Sequence, residues 1–266
     1  MKNYIYFLAA ILLSCSFAYS SDTHDITKQI ALPHHRVYVG PDIFFDHMSV
    51  QYHSGDSNVH ASSNAVFGGL RMGYDYLKPR TFYFGTDGLI AIGKASFKAY
   101  STYWWEDNNS YSMRTKNKTS PLFTNIEQRY GYTFQSPISA KSTLVPFAGI
   151  GWYYTKSKSD TGTSLANWFY GAAGLRIFQQ FCKNFDVGFN LKAMYAFTGK
   201  QHVRTWNGTC KERIRDVWGY EVALPLTWHV EASKKWDAQF EPYLLKLDVS
   251  DRTQILGARL LAGYSF

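Results

Sequence analysis

Apolar residues alternate with polar residues or glycine along most of the chain. In the clearest stretch, residues 185–198, every second position carries Phe, Val, Leu, Ala or Tyr, while the positions between them include Asp, Gly, Asn and Lys. Successive side chains of a strand point to opposite faces, so this pattern predicts a strand with one apolar face. The stretch exceeds the ~5–6 residues usual in soluble proteins and can supply the ~9–11 residues that cross a bilayer.

The same alternation recurs and predicts ten strands, with eight or twelve as alternatives. The predicted strands cover residues 36–49, 64–77, 81–100, 121–135, 143–156, 167–179, 184–198, 215–230, 237–248 and 254–266. Short links of three to seven residues alternate with longer ones, at 51–63, 103–120, 157–166 and 199–214, and only the final short link at 249–252 breaks this alternation. An even number of strands with short turns at one end and long loops at the other is typical of outer-membrane barrels. We therefore predict an all-β fold, a transmembrane antiparallel up-and-down β-barrel.

The first twenty residues have the features of an export signal. Lys2 supplies a positive charge and residues 4–13 are apolar. Ala18 and Ser20 are small residues at the places that a signal peptidase requires for cleavage before Ser21. The predicted organisation is a signal peptide at 1–20, a periplasmic segment at 21–35 and a barrel at 36–266.

Composition narrows the class of protein further. The chain has 266 residues, 18% of them aromatic, and a formal net charge of +8. Beyond the first twenty residues no apolar run approaches the ~18 residues of a spanning helix, which excludes a polytopic helical membrane protein. The basic residues form no block of the kind that binds nucleic acid, so no nucleic-acid partner is predicted.

The last strand carries a family resemblance. Apolar residues occupy every second position up to Tyr264 and Phe266, the final residue. This ending resembles the β-signal of Gram-negative outer-membrane proteins, and the chain as a whole resembles the small surface barrels of that class. The resemblance implies that Tyr264 and Phe266 form an assembly signal read by the barrel-assembly machinery, and that the protein resides in the outer membrane.

The predicted inward face carries charges of both signs in near balance. In a low-dielectric interior such charges must pair, because a lone buried charge is very costly. A barrel of about ten strands lies close to the size that its own side chains fill. We therefore expect an ionic and aromatic plug, with a narrow channel biased towards anions as the alternative. The predicted lumen network consists of Arg71, Asp75, Asp87, Glu127, Arg129, Arg176, Asp186, Lys192, Glu221, Glu241 and Arg259.

Two of the predicted long loops are basic. Lys and Arg bind phosphate through charge-assisted hydrogen bonds, so these loops are candidates for contact with lipid headgroups. An external ligand or a host surface is an alternative partner. The candidate contact residues are Arg114, Lys116, Lys118, Lys200, Arg204, Lys211, Arg213 and Arg215.

Two cysteines lie beyond the predicted export signal, and whether they form a disulfide provides a test of this topology. Cys182 falls in a predicted periplasmic turn and Cys210 in a predicted outer loop. A full membrane crossing separates them, far beyond the ~7 Å Cα distance that a disulfide tolerates. We predict that they are not bonded to each other.

No catalytic residues, metal ligands or cofactor site are predicted. His47 and Ser49 have the two-residue spacing of outer-membrane lipid A deacylases, but no neighbouring Glu can be assigned. Asp46 and His47 resemble the Asp and His of ten-stranded outer-membrane proteases, yet adjacent residues of a strand point to opposite faces.

The expected role is that of a structural or surface-interaction protein of the outer membrane. Its expected partners are outer-membrane lipid, the barrel-assembly machinery and an external ligand or host surface. A narrow porin-like channel for small solutes or ions is the alternative, and a lipid-modifying or proteolytic enzyme is the third. The oligomeric state stays open.

Overall fold

A computed structural model describes the chain from His35 to Phe266 with short internal gaps. The described ranges are 35–54, 57–104, 110–135, 142–159, 162–205, 208–214, 216–230, 235–248 and 252–266. The predicted signal peptide and nearly all of the predicted periplasmic segment lie outside the described residues. Among the described residues, no helix is long and apolar enough to span a membrane.

The described residues contain fourteen strands. They are β1 (His35–Ser54), β2 (Ser57–Leu77), β3 (Phe82–Trp104), β4 (Ser110–Thr119), β5 (Leu122–Tyr132), β6 (Phe134–Gln135), β7 (Ser142–Ser159), β8 (Gly162–Cys182), β9 (Phe185–Thr205), β10 (Gly208–Ile214), β11 (Val217–Ala223), β12 (Leu226–His229), β13 (Trp236–Leu247) and β14 (Arg252–Ser265).

These strands occupy ten antiparallel positions around one closed barrel, and we call each position a stave, whether one strand or several successive short strands fill it. The short strands β4, β5 and β6 follow one another between β3 and β7 and form one stave; β10, β11 and β12 do the same between β9 and β13. The barrel closes where β14 pairs with β1, from Arg36 opposite Ser265 to Ser49 opposite Arg252. The prediction of a ten-stranded antiparallel barrel is confirmed.

Local chemistry explains why two staves are interrupted. Pro121 and Pro225 lack the N–H that a ladder needs. Their carbonyls still accept hydrogen bonds from the neighbouring staves, at 2.9 Å from Gly93 N and 2.6 Å from Gly188 N. Asp216 lies between β10 and β11 with a φ of 58°, a left-handed conformation that Asp tolerates better than most residues. The staves therefore bend without opening the barrel.

The two faces of the barrel have the predicted composition. Large apolar side chains are exposed on the outside, as at Trp218, Leu256 and Ile92. Their sequence neighbours, which include Val217 and Ile255, are buried inside. The alternation read from the sequence therefore assigned the inward and outward faces correctly.

The four predicted long loops are wrong, because most of their residues continue the strands. β1 and β2 extend to a hairpin at Ser54 and Ser57, and β9 and β10 extend to one at Thr205 and Gly208. A strand of about 20 residues tilted by ~40° rises roughly 50 Å, twice the ~25 Å of an apolar belt. These hairpins project past the belt at the end opposite His35 and Phe266. We call this the distal end, and the other the terminal end.

Candidate functional site

The lumen is the first candidate site, and ion pairs join its central charges. Arg71 on β2 donates from Nε to Asp42 Oδ2 at 2.9 Å and also pairs with Asp87 on β3. The Tyr243 hydroxyl donates to the other oxygen of Asp42 at 2.9 Å. Asp42 is completely buried, so both of its oxygens need these donors.

A second group surrounds Asp75 near the terminal end. Its Oδ1 accepts hydrogen bonds from Arg176 Nη1 at 3.0 Å and from the Tyr83 hydroxyl at 2.9 Å. Arg129 approaches the same oxygen at 3.7 Å. Groups from three other strands thus converge on one carboxylate, and two guanidinium groups and one hydroxyl replace the water that it has lost.

A third group links β5, β9, β11, β13 and β14. Lys192 Nζ lies 2.8 Å from Glu127 Oε2 and 2.8 Å from Glu221 Oε2. Arg259 reaches Glu221 Oε1 at 2.6 Å and also pairs with Glu241. This group adjoins the first one because Arg259 Nε lies 3.5 Å from an Asp42 oxygen. The three groups together form what we call the ionic layer.

Two further pairs lie towards the terminal end of the lumen. Arg36 contacts Asp237 through two hydrogen bonds, of 3.0 and 2.5 Å. His229 Nε2 lies 2.7 Å from Asp186 Oδ2. Every residue of the predicted lumen network except Asp186 therefore has an oppositely charged partner. Asp186 lies against His229, which is positively charged only when it is protonated, and takes no part in the ionic layer.

Sequence reasoning missed two kinds of participant in this site. Asp237 was overlooked although it begins a predicted strand on the inward face. Four tyrosines also escaped notice, because alternation identifies an inward Tyr but not the carboxylate that it reaches. Their hydroxyls donate at 2.8–2.9 Å to the carboxylates of Asp87, Asp75, Glu127 and Asp42, from Tyr38, Tyr83, Tyr170 and Tyr243 respectively.

Glycines on neighbouring strands make room for these tyrosine rings. A Cβ on Gly151 would lie 2.2 Å from Tyr170 Cζ, and one on Gly257 would lie 2.5 Å from Tyr243 Cζ. Real Cβ atoms do not come so close, so only glycine fits at either position. The glycine-rich inward face thus lets each ring lie against its neighbouring strand.

An apolar layer fills the lumen on the distal side of the ionic layer. Phe44 stacks on Phe67 with ring centroids 4.6 Å apart, and Phe123 meets Tyr153 edge to face at 4.5 Å. Tyr153 also stacks on Trp168 at 4.2 Å. Two spaces among the described lumen residues have volumes of about 40 and 50 Å³, each sufficient for only a few waters. The two layers therefore pack closely in the described part of the lumen.

The predicted loop residues form the second candidate site, and they lie on strands. Arg114, Lys116 and Lys118 are exposed on β4. Lys200 and Arg204 lie on β9, and the remaining described residues, Lys211 and Arg213, lie on β10. Arg215 is outside the described residues. The prediction that these candidate contact residues lie in loops is therefore corrected, because those that the structure describes lie on strands.

The cysteines lie at opposite ends of the barrel. Cys182 is a free, exposed thiol at the terminal end of β8, opposite Phe185. The Cys210 backbone pairs with Val203 near the distal end of β9. The 18 residues between Phe185 and Val203 span roughly 60 Å of strand, which explains why no bond joins the two cysteines.

The structure places no carboxylate partner for catalysis beside His47 among the described residues. His47 is exposed on the outward face, where its Nδ1 lies 2.7 Å from Asn64 Oδ1, an amide and not a carboxylate. Asp46 turns inward, so it does not act beside His47. The described part of the chain contains no cluster of three or more His, Cys, Asp or Glu residues suited to a metal ion.

Comparison with known proteins agrees with this architecture. No protein-family model and no curated protein sequence matches the chain. The outer-membrane protease OmpT from Escherichia coli matches at 11% identity and a TM-score of 0.55, over 87% of this chain and 96% of that one. The translocator domain of autotransporter NalP from Neisseria meningitidis matches at 11% identity and a TM-score of 0.47, over 87% and 88%. The chain therefore has the fold of an outer-membrane β-barrel with ten antiparallel strands.

Proposed function

We propose that this protein is a non-conducting barrel of the outer membrane with a structural or surface-interaction role. The observation that carries the proposal is the filled lumen, in which paired charges occupy one layer and packed aromatic rings the next. The distal hairpins are the surfaces that would contact lipid headgroups or an external ligand.

The energetics of the ionic layer support this role. An ion that crossed the layer would have to displace partners such as Asp42 from Arg71, or Glu127 from Lys192, and would leave a buried charge unpaired. Breaking a buried pair costs about 3–5 kcal/mol. Beyond the layer an ion would meet the rings of Phe44 and Phe123, which offer it no ligand. Two successive barriers of different chemistry favour a closed barrel.

The refolded barrel tests the proposal in a planar bilayer. The wild-type protein is expected to show no stable current steps. The double variant Phe123→Ala/Trp168→Ala removes two rings of the apolar layer. Adding Lys192→Ala also removes a cation from the ionic layer, and this triple variant should conduct. Ile150→Ala, on the outward face, is the matched control and should stay silent. Stable steps in the wild-type protein would contradict the proposal.

A narrow channel is the second candidate, and one observation favours it. The two small spaces in the lumen share part of their lining, which includes Arg71, Lys192 and Arg259, so they adjoin through the ionic layer. If the wild-type protein conducts and Arg71→Ser shifts its preference away from anions, the channel is the better assignment.

A further inference from the structure

The outward faces of the distal hairpins carry an excess of positive charge. Along β3 the outward positions change from Ile92 to Lys94, and along β7 they change from Tyr154 to Lys156. The basic residues thus begin where the apolar belt ends. On β3, β4, β7, β9 and β10, every outward-facing charged side chain that the structure describes is basic: Lys94, Lys98, Arg114, Lys116, Lys118, Lys156, Lys158, Lys200, Arg204, Lys211 and Arg213.

Strand pairing places several of these charges directly against one another. Lys98 is opposite Lys116, and Lys200 is opposite Arg213. Like charges facing each other across a strand pair are destabilising. Among the described residues, none of these four side chains forms an ion pair. The repulsion is therefore not relieved by the described part of the protein.

The densest part of this surface lies on β7 to β10, and we call it the basic face. It consists of Lys156, Lys158, Lys200, Arg204, Lys211 and Arg213. One row of paired residues crosses this part of the sheet from β7 to β10. It consists of Lys156, Leu165, His202 and Lys211, each opposite the next. Three spacings of ~4.8 Å separate β7 from β10, so Lys156 and Lys211 are roughly 15 Å apart across the sheet.

The position of the basic face indicates what would neutralise it. The same outward faces carry Trp152 and Phe169 just below it, in the position of an aromatic girdle at a membrane interface. The basic side chains point sideways from the barrel rather than into its mouth. An anion that meets them from this direction belongs to the surrounding leaflet.

We propose that the basic face binds the phosphate groups of a phosphorylated glycolipid in the outer leaflet. Phosphate oxygens accept charge-assisted hydrogen bonds from Lys and Arg and would relieve the repulsion between Lys200 and Arg213. The proposal rests on the membrane placement in the proposed function but not on a closed lumen, so conductance and lipid binding can fail independently.

The test uses the refolded barrel, residues 21–266, in a zwitterionic detergent. Bisphosphorylated lipid A, the same lipid after removal of its phosphates, and inorganic phosphate are each titrated at equal molarity. Binding and the thermal unfolding midpoint are measured. Only the phosphorylated lipid is expected to bind and raise the midpoint. Lys200→Ser/Arg213→Ser should weaken its binding at least about tenfold, since two charge-assisted hydrogen bonds are lost.

Two expected results distinguish lipid binding by the basic face from a purely structural role of these residues. Without lipid, the Lys200→Ser/Arg213→Ser variant should unfold at the same or a higher temperature, because a repulsive pair has been removed. The control variant Lys246→Ser lies on the outward face of β13, outside the basic face, and should bind the phosphorylated lipid like wild type. Lys156→Ser/Lys158→Ser is a second test variant within the basic face and should bind this lipid more weakly. Equal binding of the dephosphorylated lipid or of inorganic phosphate, or unchanged binding by both double variants, would overturn the proposal.

Discussion

Charged residues on the two faces of this barrel follow opposite rules. Inside, Arg71, Arg176 and Lys192 each contact a carboxylate at 3.0 Å or less. Outside, on the distal hairpins, Lys200 and Arg213 face each other without an acidic partner among the described residues. Burial accounts for the difference, because an unpaired charge is costly in the lumen but is solvated at the surface. Paired charges are thus expected in the lumen, whereas the unpaired basic side chains outside remain accessible to the anion proposed above.

The difference between the two faces is tested most directly by removing one arginine from each face and comparing the loss of stability. Arg259→Leu removes the cation that pairs with Glu241 and one of the two that pair with Glu221, the other being Lys192. It should lower the free energy of unfolding by about 3–5 kcal/mol, because a buried carboxylate loses its partner. Arg213→Leu removes a surface charge and should change it by no more than about 0.5 kcal/mol. Urea unfolding of the two refolded variants in lipid bilayers measures both. Similar losses in the two variants would show that the lumen charges are not coupled as described.

A smaller effect is expected from the glycines beneath the tyrosine rings. Gly257→Ala forces Tyr243 away from its position and weakens its hydrogen bond to Asp42, which should cost about 1–3 kcal/mol. Gly68 is the control, since a Cβ there would meet no atom within 4 Å. Unfolding midpoints in urea compare the two variants, and an equally mild Gly257→Ala would mean that the ring has room to move.

The smallest expected effect comes from the repulsion between basic side chains on the outward face. Relieving this repulsion should raise the free energy of unfolding, whereas the two changes above lower it. Lys98→Glu converts a like-charge pair with Lys116 into an attractive one, so the protein without added lipid should gain about 0.2–1 kcal/mol. Lys246→Glu, which has no basic residue opposite it on β11 or β14, should gain less. The same urea series resolves this if it is run at low salt, where surface charges are least screened. A loss of stability in Lys98→Glu would contradict the assigned register.

The errors in the predicted strand limits have a local cause. Prediction ended the seventh strand at Thr198 and began the eighth near Arg215. A bulge at Phe197 and the left-handed Asp216 shift the alternation by one position at these places. A period-two pattern stops where a bulge inserts a residue, although the strand continues. The strands therefore ran on through segments that lacked the pattern.

The sequence by itself determined the two-faced strands and most of the charged residues that line the lumen, because a period of two is local and needs no knowledge of the partner strand. Only the tertiary structure decided which charges meet. Arg36 and Asp237 are 201 residues apart, and their contact depends on the register with which the barrel closes. The same closure decided that Tyr243 reaches Asp42 and that Lys200 faces Arg213, since register across strands is a property of the whole sheet.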